Sequence, residues 1–204
     1  MSNPVFEVEC HPEVMMLKSK RPLTPKFTGV DTFSDVHGRY QFRFPTDWAK
    51  YELEGYPEGV IFSPYANQAL PKTFISAYAA PMDFDVVAED MVDLVSAVQE
   101  GLHQLNEVHI EEQSDAAYGN LLKFDRTFTF REGDAVRKRH TWIMYVANWQ
   151  IVFAYQGESV EDYEYWLPMG NTMFFHVIIP DSFWFATDRD LNDFNKQLAP
   201  EAQA

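Results

Sequence analysis

The residues best suited to chemistry are three possible metal ligands, His103, His109 and Glu111, and an acidic run at 83–93. Zinc needs several such ligands converging on one point, but these three straddle a predicted helix end, where exposed polar residues are common. The acidic run lacks the glycine and the bidentate glutamate of an EF-hand loop, and helix capping explains it. We therefore expect neither a metal nor a cofactor.

Covalent catalysis has equally little support. A nucleophilic serine or cysteine must be activated by a neighbouring base, and the single cysteine, Cys10, is next to His11 in sequence only. No Gly-x-Ser-x-Gly elbow and no phosphate-binding loop is present. The sequence therefore predicts a protein that is not an enzyme, without an intrachain disulfide.

Charge is the strongest functional signal. The formal net charge of -15 opposes binding to nucleic acid or to an anionic membrane and favours a basic partner. No Lys or Arg occurs between Lys72 and Lys123, whereas a predicted hairpin after it is rich in basic residues: Arg126, Arg131, Arg137, Lys138, Arg139 and His140. We expect an acidic helix face and a basic hairpin face. The acidic face is either merely solvated or attracts a basic partner.

Arg126 shares the alternation of Leu122, Phe124, Phe128 and Phe130. In a regular strand its guanidinium points into an apolar layer and needs a carboxylate partner. A β-bulge would instead turn the side chain outward. The sequence leaves both possibilities open.

The elements that position these residues follow from hydrophobic periodicity. An opening strand alternates from Gly38 to a proline stop, with Tyr40, Phe42 and Phe44 predicted buried and Arg39, Gln41 and Arg43 exposed. Further strands are predicted at 50–53, 60–63, 73–79, 108–112, 120–131, 136–145 and 149–156, and helices at 82–106 and 159–179, the second interrupted by Pro168 and Gly170.

The strand at 149–156 is apolar on both alternating sets of residues. A strand buried on both faces implies layers on both sides of the sheet. We therefore predict an α+β fold, an α-β-α sandwich with a central, mostly antiparallel sheet.

The 204 residues are enough for one domain with a sizeable core. We predict an N-terminal extension at 1–37 with a short strand at 5–8, a domain at 38–180, and a tail at 181–204 with a short helix at 188–198. The aromatic triplet at 183–185 either packs on the domain or forms a contact patch. Neither a secretory signal nor a window long enough to span a membrane is visible, so we expect a cytoplasmic protein.

Residues 38–180 resemble the superfamily that joins the PsbP proteins of photosystem II with the Ran-binding Mog proteins, including the bacterial DcrB-like proteins and Eag chaperones. The resemblance lies in the opening strand Tyr40-Gln-Phe-Arg-Phe-Pro with Trp48 after it, the following helix, the strands from Leu121 to Tyr155, and Ser159-Val-Glu-Asp-Tyr163. It implies an α-β-α sandwich and a non-catalytic role in binding a protein partner.

We therefore expect an adaptor or chaperone-like accessory module that binds a protein partner. The sequence leaves open whether that partner is basic and whether the chain forms a homodimer. The contact surface would combine an acidic helix face with sheet aromatics, through Asp90, Asp93, Glu100, Trp142, Trp149, Tyr163, Trp166 and Trp184. The alternative is a carrier that holds a small apolar ligand between sheet and helix.

Overall fold

The computed structural model describes residues 22–181 except residues 27, 67 and 120, and the side chain of Pro57. A two-stranded antiparallel sheet comes first, made of β1 (Val30–Ser34) and β2 (Gln41–Pro45). The larger sheet contains β3 (Ala49–Leu53), β4 (Tyr56–Ser63), β5 (Phe74–Pro81), β6 (Asn106–Tyr118), β7 (Leu121–Glu132), β8 (Ala135–Val146) and β9 (Trp149–Gly157). Its order is β3-β4-β5-β9-β8-β7-β6, and every neighbouring pair is antiparallel.

Among the described residues, two helices accompany the sheet: α1 (Met91–His103), which follows a 3-10 turn at Ala88–Asp90, and α2 (Val160–Phe174). Together with the antiparallel sheet they confirm an α+β fold. Neither is long and apolar enough to span a membrane.

Helix α1 begins later than the predicted residue 82. The backbone N–H groups of Met82 and Val86 donate to the carbonyls of Asn148 and Ala147, at 2.7 Å and 2.8 Å, so this stretch follows the β8–β9 turn. Val87 has an extended backbone and is the N-cap residue of the 3-10 turn. Its N–H donates to the Asp90 carboxylate at 2.8 Å. The helical spacing of apolar residues in the sequence includes Met82 and Val86, which are packed in an apolar cluster without being part of the helix. This is why the sequence predicted too early a start.

Helix α2 also ends earlier than predicted, because residues after it pair with the small sheet. Gln41 and Ile178 exchange two backbone hydrogen bonds of 2.9 Å. Pro168 and Gly170 lie inside the helix and do not end it. Ser159 caps its start, as predicted, since Ser159 Oγ accepts from the N–H of Asp162 at 3.1 Å.

Alternate residues of the same strands supply two different apolar clusters. Ile151, Phe153 and Tyr155 of β9 belong to the larger cluster, together with α2 and β2. The adjacent β7 residues Leu121 and Leu122 divide between the larger cluster and a second one, which contains Leu94 and Val98 of α1. Because consecutive strand residues point to opposite faces, the sheet has apolar layers on both sides.

Strand β1 and residue Arg39 depart from the sequence prediction. Residues 30–34 were assigned to a surface extension, but they pair with β2, and Phe33 packs against the larger cluster. Arg39 was predicted exposed, yet it is 2% exposed. Its Nε and Nη2 donate to the two oxygens of Asp35, both at 2.7 Å, and it also pairs with Glu58. Thus Arg39, buried beside Asp35 in the loop between β1 and β2, links that loop to β4 through the half-exposed Glu58.

The predicted strand at 5–8, Cys10, the aromatic triplet at 183–185 and the helix at 188–198 lie outside the described residues.

Two glycines allow α2 to approach β9. A Cβ on Gly170 would lie 2.5 Å from the ring of Tyr155, and one on Gly157 would collide with the backbone of Tyr163. By contrast, a Cβ on the exposed Gly101 of α1 would meet nothing within 4 Å. The close approach lets the Tyr155 hydroxyl donate to the backbone carbonyl of Tyr163.

We expect the same substitution in the two helices to have opposite effects. Gly170→Ala should lower the free energy of unfolding by about 1–3 kcal/mol, because the methyl group overpacks the contact with Tyr155. Gly101→Ala should raise it by about 0.5–1 kcal/mol, since alanine favours helix. Urea unfolding of both variants measures this, and a stabilising Gly170→Ala would contradict the close contact.

The Asp35–Arg39 pair should make the free energy of unfolding depend on pH in the acidic range. Burial raises the pKa of Asp35, but hydrogen bonds and charge from Arg39 outweigh it and hold that pKa below its usual 3.8. A depressed folded-state pKa means that the contribution is present at neutral pH and is lost as the pH falls through that pKa.

Asp35→Asn should therefore cost about 3 kcal/mol at pH 7, because it leaves a buried guanidinium poorly compensated. The cost should shrink below about pH 4 as the wild-type carboxyl protonates. The matched control Asp31→Asn, at an exposed β1 residue, should change stability by less than about 0.5 kcal/mol. Unfolding curves from pH 7 to pH 3 test this, and a cost that is independent of pH would refute it.

Candidate functional site

The segment without Lys or Arg folds into β5, α1 and β6. Leu102 and Leu105 at the end of α1 pack with Val108 and Ile110 of β6 in a third apolar cluster, so the helix and the strand are neighbours. Exposed acidic residues on these two elements form what we call the acidic edge: Asp93, Glu100, Glu107, Glu111, Glu112 and Asp115. The acidic helix predicted from the sequence thus continues onto a strand.

Strand β6 is the last strand of the sheet, and among the described residues it pairs only with β7. Its register with β7 shifts between Asn106 and His109 and between Ile110 and Glu112, then stays regular to Tyr118. Bulges and charges are common protection against aggregation at an exposed edge. The regular part nevertheless leaves a row of backbone groups available to another strand.

The hairpin does not present the predicted basic face, because acidic residues of the sheet and of α2 compensate most of its charges. Arg126 pairs with Asp115, Arg131 with Glu107, and Lys138 with Glu111 and Glu164. Arg137 pairs with Glu132, and His140 hydrogen-bonds Asp125. Strand β6 pairs with β7 and brings its acidic residues beside the basic ones. The sequence did not indicate this pairing.

These pairs leave three members of the acidic edge unneutralised. Asp93 and Glu100 on α1 and Glu112 on β6 make no ion pair within the described part of the chain. Asp90, which the sequence placed with them, is instead engaged with the N–H of Val87. The uncompensated negative charge of the edge therefore lies at Asp93, Glu100 and Glu112.

Arg126 is fully buried in a β7–β8 register without a shift, which confirms the regular strand and not the bulge. Its Nη1 donates to Asp115 Oδ1 at 2.5 Å and to the carbonyls of Ser114 and Asp125 at 3.1 Å and 2.8 Å. Its Nε and Nη2 have no hydrogen-bond partner among the described residues. This cation binds β6 to β7 from inside the apolar layer.

Of the predicted aromatic anchors, Trp142 is half-buried on β8. Its Nε1 donates to Asp125 at 2.6 Å, and the Nζ of Lys123 lies 3.3 Å from its ring centroid. His140 Nε2 is 2.7 Å from the same carboxylate. Burial raises the pKa of Asp125, but His140, Lys123 and Trp142 together lower it below 3.8. Sequence reasoning missed this cluster because its members lie on different strands.

The other predicted anchors are spread over the molecule. Trp149 is half-buried at the start of β9, with the guanidinium of Arg39 4.4 Å from its ring centroid. Tyr163 is 4% exposed and belongs to the core, so the structure does not offer its ring to a partner. Trp166 is half-buried and packs edge-on against Trp48 at 5.6 Å. Trp184 lies outside the described residues.

Within the part of the chain that the structure describes, no three His, Cys, Asp or Glu side chains are placed so that they could hold a metal ion. His103 belongs to α1, whereas His109 and Glu111 belong to β6.

The Asp115–Arg126 pair gives an asymmetric prediction. Asp115→Asn should lower the free energy of unfolding by about 3 kcal/mol, because it removes the carboxylate partner of a buried charge. Arg126→Met should cost little or stabilise, since the side chain of Asp115 is 27% exposed and remains hydrated. Urea unfolding of both variants tests this, and an equal loss would show that the ion pair itself is stabilising.

No protein-family model matches this chain, and no curated protein matches it in sequence. Solved structures do. Cyanobacterial PsbP (CyanoP) from Synechocystis sp. PCC 6803 is 11% identical with a TM-score of 0.50, covering 76% of this chain and 95% of that one. LpqN, involved in cell envelope biogenesis of Mycobacterium tuberculosis, is 15% identical with a TM-score of 0.50, covering 75% and 93%.

The Ran-binding protein Mog1p of Saccharomyces cerevisiae is 9% identical with a TM-score of 0.43, covering 74% of this chain and 95% of that one. At such identities a likeness concerns the fold alone. The matches to CyanoP and LpqN confirm the predicted resemblance at the level of the fold: this chain has a PsbP-like fold.

Proposed function

We propose that this chain is a non-catalytic binding module, an adaptor or chaperone-like factor, that holds a basic extended segment of a protein partner along the acidic edge. The observation that supports it is the meeting of two features on β6. A regular edge strand has no second neighbour among the described residues. Beside it, Asp93, Glu100 and Glu112 have no ion-pair partner within the described chain. A strand added there would gain main-chain hydrogen bonds and charge complementarity.

The architecture favours binding of the partner at an edge of the sheet over binding on one of its faces. Apolar layers on both sides of the sheet support an α-β-α sandwich, in which α1 and α2 cover opposite faces. The edges then remain the accessible part of the sheet. At the other edge, β3 is a much shorter strand with a register shift near Leu53.

A second copy of this chain is a poorer occupant of the same edge. Pairing β6 with β6 would bring the carboxylates of two acidic edges together, and like charges in contact oppose association. A basic partner removes that repulsion. We therefore place a heterologous partner here and not a homodimer.

In the alternative hypothesis, the protein carries a small apolar ligand that is held between sheet and helix. A cavity of about 400 Å³ is present, but its lining includes no residue of α1 or α2. The ligand-carrier hypothesis therefore has no specific support at the predicted location.

The test is a pull-down with the full chain from its native host at low salt, repeated with two triple variants. Asp93→Lys, Glu100→Lys, Glu112→Lys should reduce capture of the main protein partner by at least about tenfold, because it inverts the uncompensated charge. Asp47→Lys, Glu52→Lys, Glu54→Lys makes the same change in net charge on and beside β3, at exposed positions, and should leave capture nearly unchanged.

Hydrogen exchange of the purified complex provides a second measurement. Outward-facing amides at 112–117 should exchange quickly in the free protein and slow on binding, because the added strand accepts from them. Equal losses in the two triple variants would show general electrostatic attraction. Unchanged exchange at 112–117 would reject strand addition.

A further inference from the structure

A cleft of about 400 Å³ opens at the far end of the sheet from β6. The turn between β3 and β4, the end of β5, the start of β9 and the loop before β2 form its walls. Its lining is His37, Arg39, Gly55, Tyr56, Glu58, Ala79, Ala80, Pro81 and Trp149. The volume falls within the range of small-molecule sites in proteins.

Arg39 is committed to its neighbours and is therefore a poor receptor for an anion. Its Nε and Nη2 donate to the carboxylate of Asp35, whose side chain is 0% exposed, and Nη2 also pairs with Glu58. The guanidinium lies over the ring of Trp149 at 4.4 Å. Two carboxylates thus hold one cation, which in turn fixes the indole in the wall of the cleft.

The charge of this wall is negative. The carboxylates of Asp35 and Glu58 together outweigh the guanidinium of Arg39 by one charge. The side chain of Glu58 is 41% exposed, and His37 Nε2 lies 2.8 Å from its Oε1. Hydrogen bonds from His37 and then Arg39 lower the pKa of Glu58, so the carboxylate stays ionised at neutral pH.

The remaining lining is apolar and aromatic. Tyr56 is 37% exposed and stacks on Tyr78, with ring centroids 4.0 Å apart. Ala79, Ala80 and Pro81 at the end of β5 supply apolar surface next to Trp149. Aromatic faces attract organic cations, and an exposed carboxylate gives such a cation a counter-charge.

We propose that this cleft binds a small organic amine, with its ammonium group at Glu58 and its apolar body against Trp149 and Tyr56. The excess carboxylate favours a cation, the committed Arg39 disfavours an anion, and the aromatic walls favour a ligand with an apolar body. The site is separate from the acidic edge, because β4 and β6 lie on different sides of the central strand β9. It can therefore be tested independently of partner binding.

The experiment is calorimetric titration of the full chain at pH 8. Three probes of similar shape are compared: 2-phenylethylamine, 2-phenylethanol and 3-phenylpropionate. We expect the amine to bind at least about tenfold more tightly than the alcohol, and the carboxylate to bind most weakly. Equal binding of amine and alcohol, preference for the carboxylate, or no binding of any probe would overturn the proposal.

Two variants locate the site. Glu58→Gln should weaken amine binding about tenfold and leave the alcohol unchanged, because it removes only the counter-charge. The matched control Glu54→Gln, at an exposed residue of the same turn outside the lining, should leave amine binding unchanged. Thermal unfolding confirms that both variants are folded. Equal weakening in both variants would overturn the assignment to Glu58.

A fourth probe separates two sources of the cation. A tripeptide with a central lysine and blocked termini presents the same ammonium on a protein side chain. If this peptide binds more tightly than 2-phenylethylamine, the cleft is a pocket for a partner's side chain and the small-molecule proposal is wrong. Weaker binding of the peptide supports it.

Discussion

The direct contact between α2 and β9 is the constraint on which the remaining packing depends. At Gly157 the strand lies directly against the backbone of Tyr163 in the helix, and at Gly170 the helix backbone lies directly against the ring of Tyr155. That approach places Asp162 in a buried position, where it accepts from the hydroxyls of Tyr65 and Thr73. Because β9 is also the strand between β5 and β8, the helix is fixed to the centre of the sheet and the outer strands build outward from there.

The sequence predicts the elements that are governed by local periodicity. The strands around β4, β5, β7, β8 and β9 follow from alternation. Alternation also gave burial of Arg126 as one of two possibilities, and the structure selects it. Pairing between distant segments is different. The far half of β6, from Gln113 to Tyr118, has no apolar alternation, so its pairing with β7 is what makes it a strand.

Arg39 illustrates the same limit for the candidate site. Its position in the opening strand predicts exposure, and only the arrival of Glu58 and Trp149 from other elements makes burial favourable. The sequence predicted an acidic helix face, and the structure has exposed Asp93 and Glu100 on α1. However, sequence could not show which acids are neutralised, because Glu107, Glu111 and Asp115 find their partners across strands. The net charge of -15 is therefore a poor guide to the charge that a partner meets.

The backbone pairing of Gln41 with Ile178 brings the first and last parts of the described domain side by side. This short bridge holds the two segments together by two backbone hydrogen bonds. Tension applied through the chain on either side would load these two hydrogen bonds and the small sheet before it reached the seven-stranded sheet. Because Tyr40 and Phe42 are buried against Phe153 of β9, pulling residues 30–45 away would also open the apolar core on the central strand.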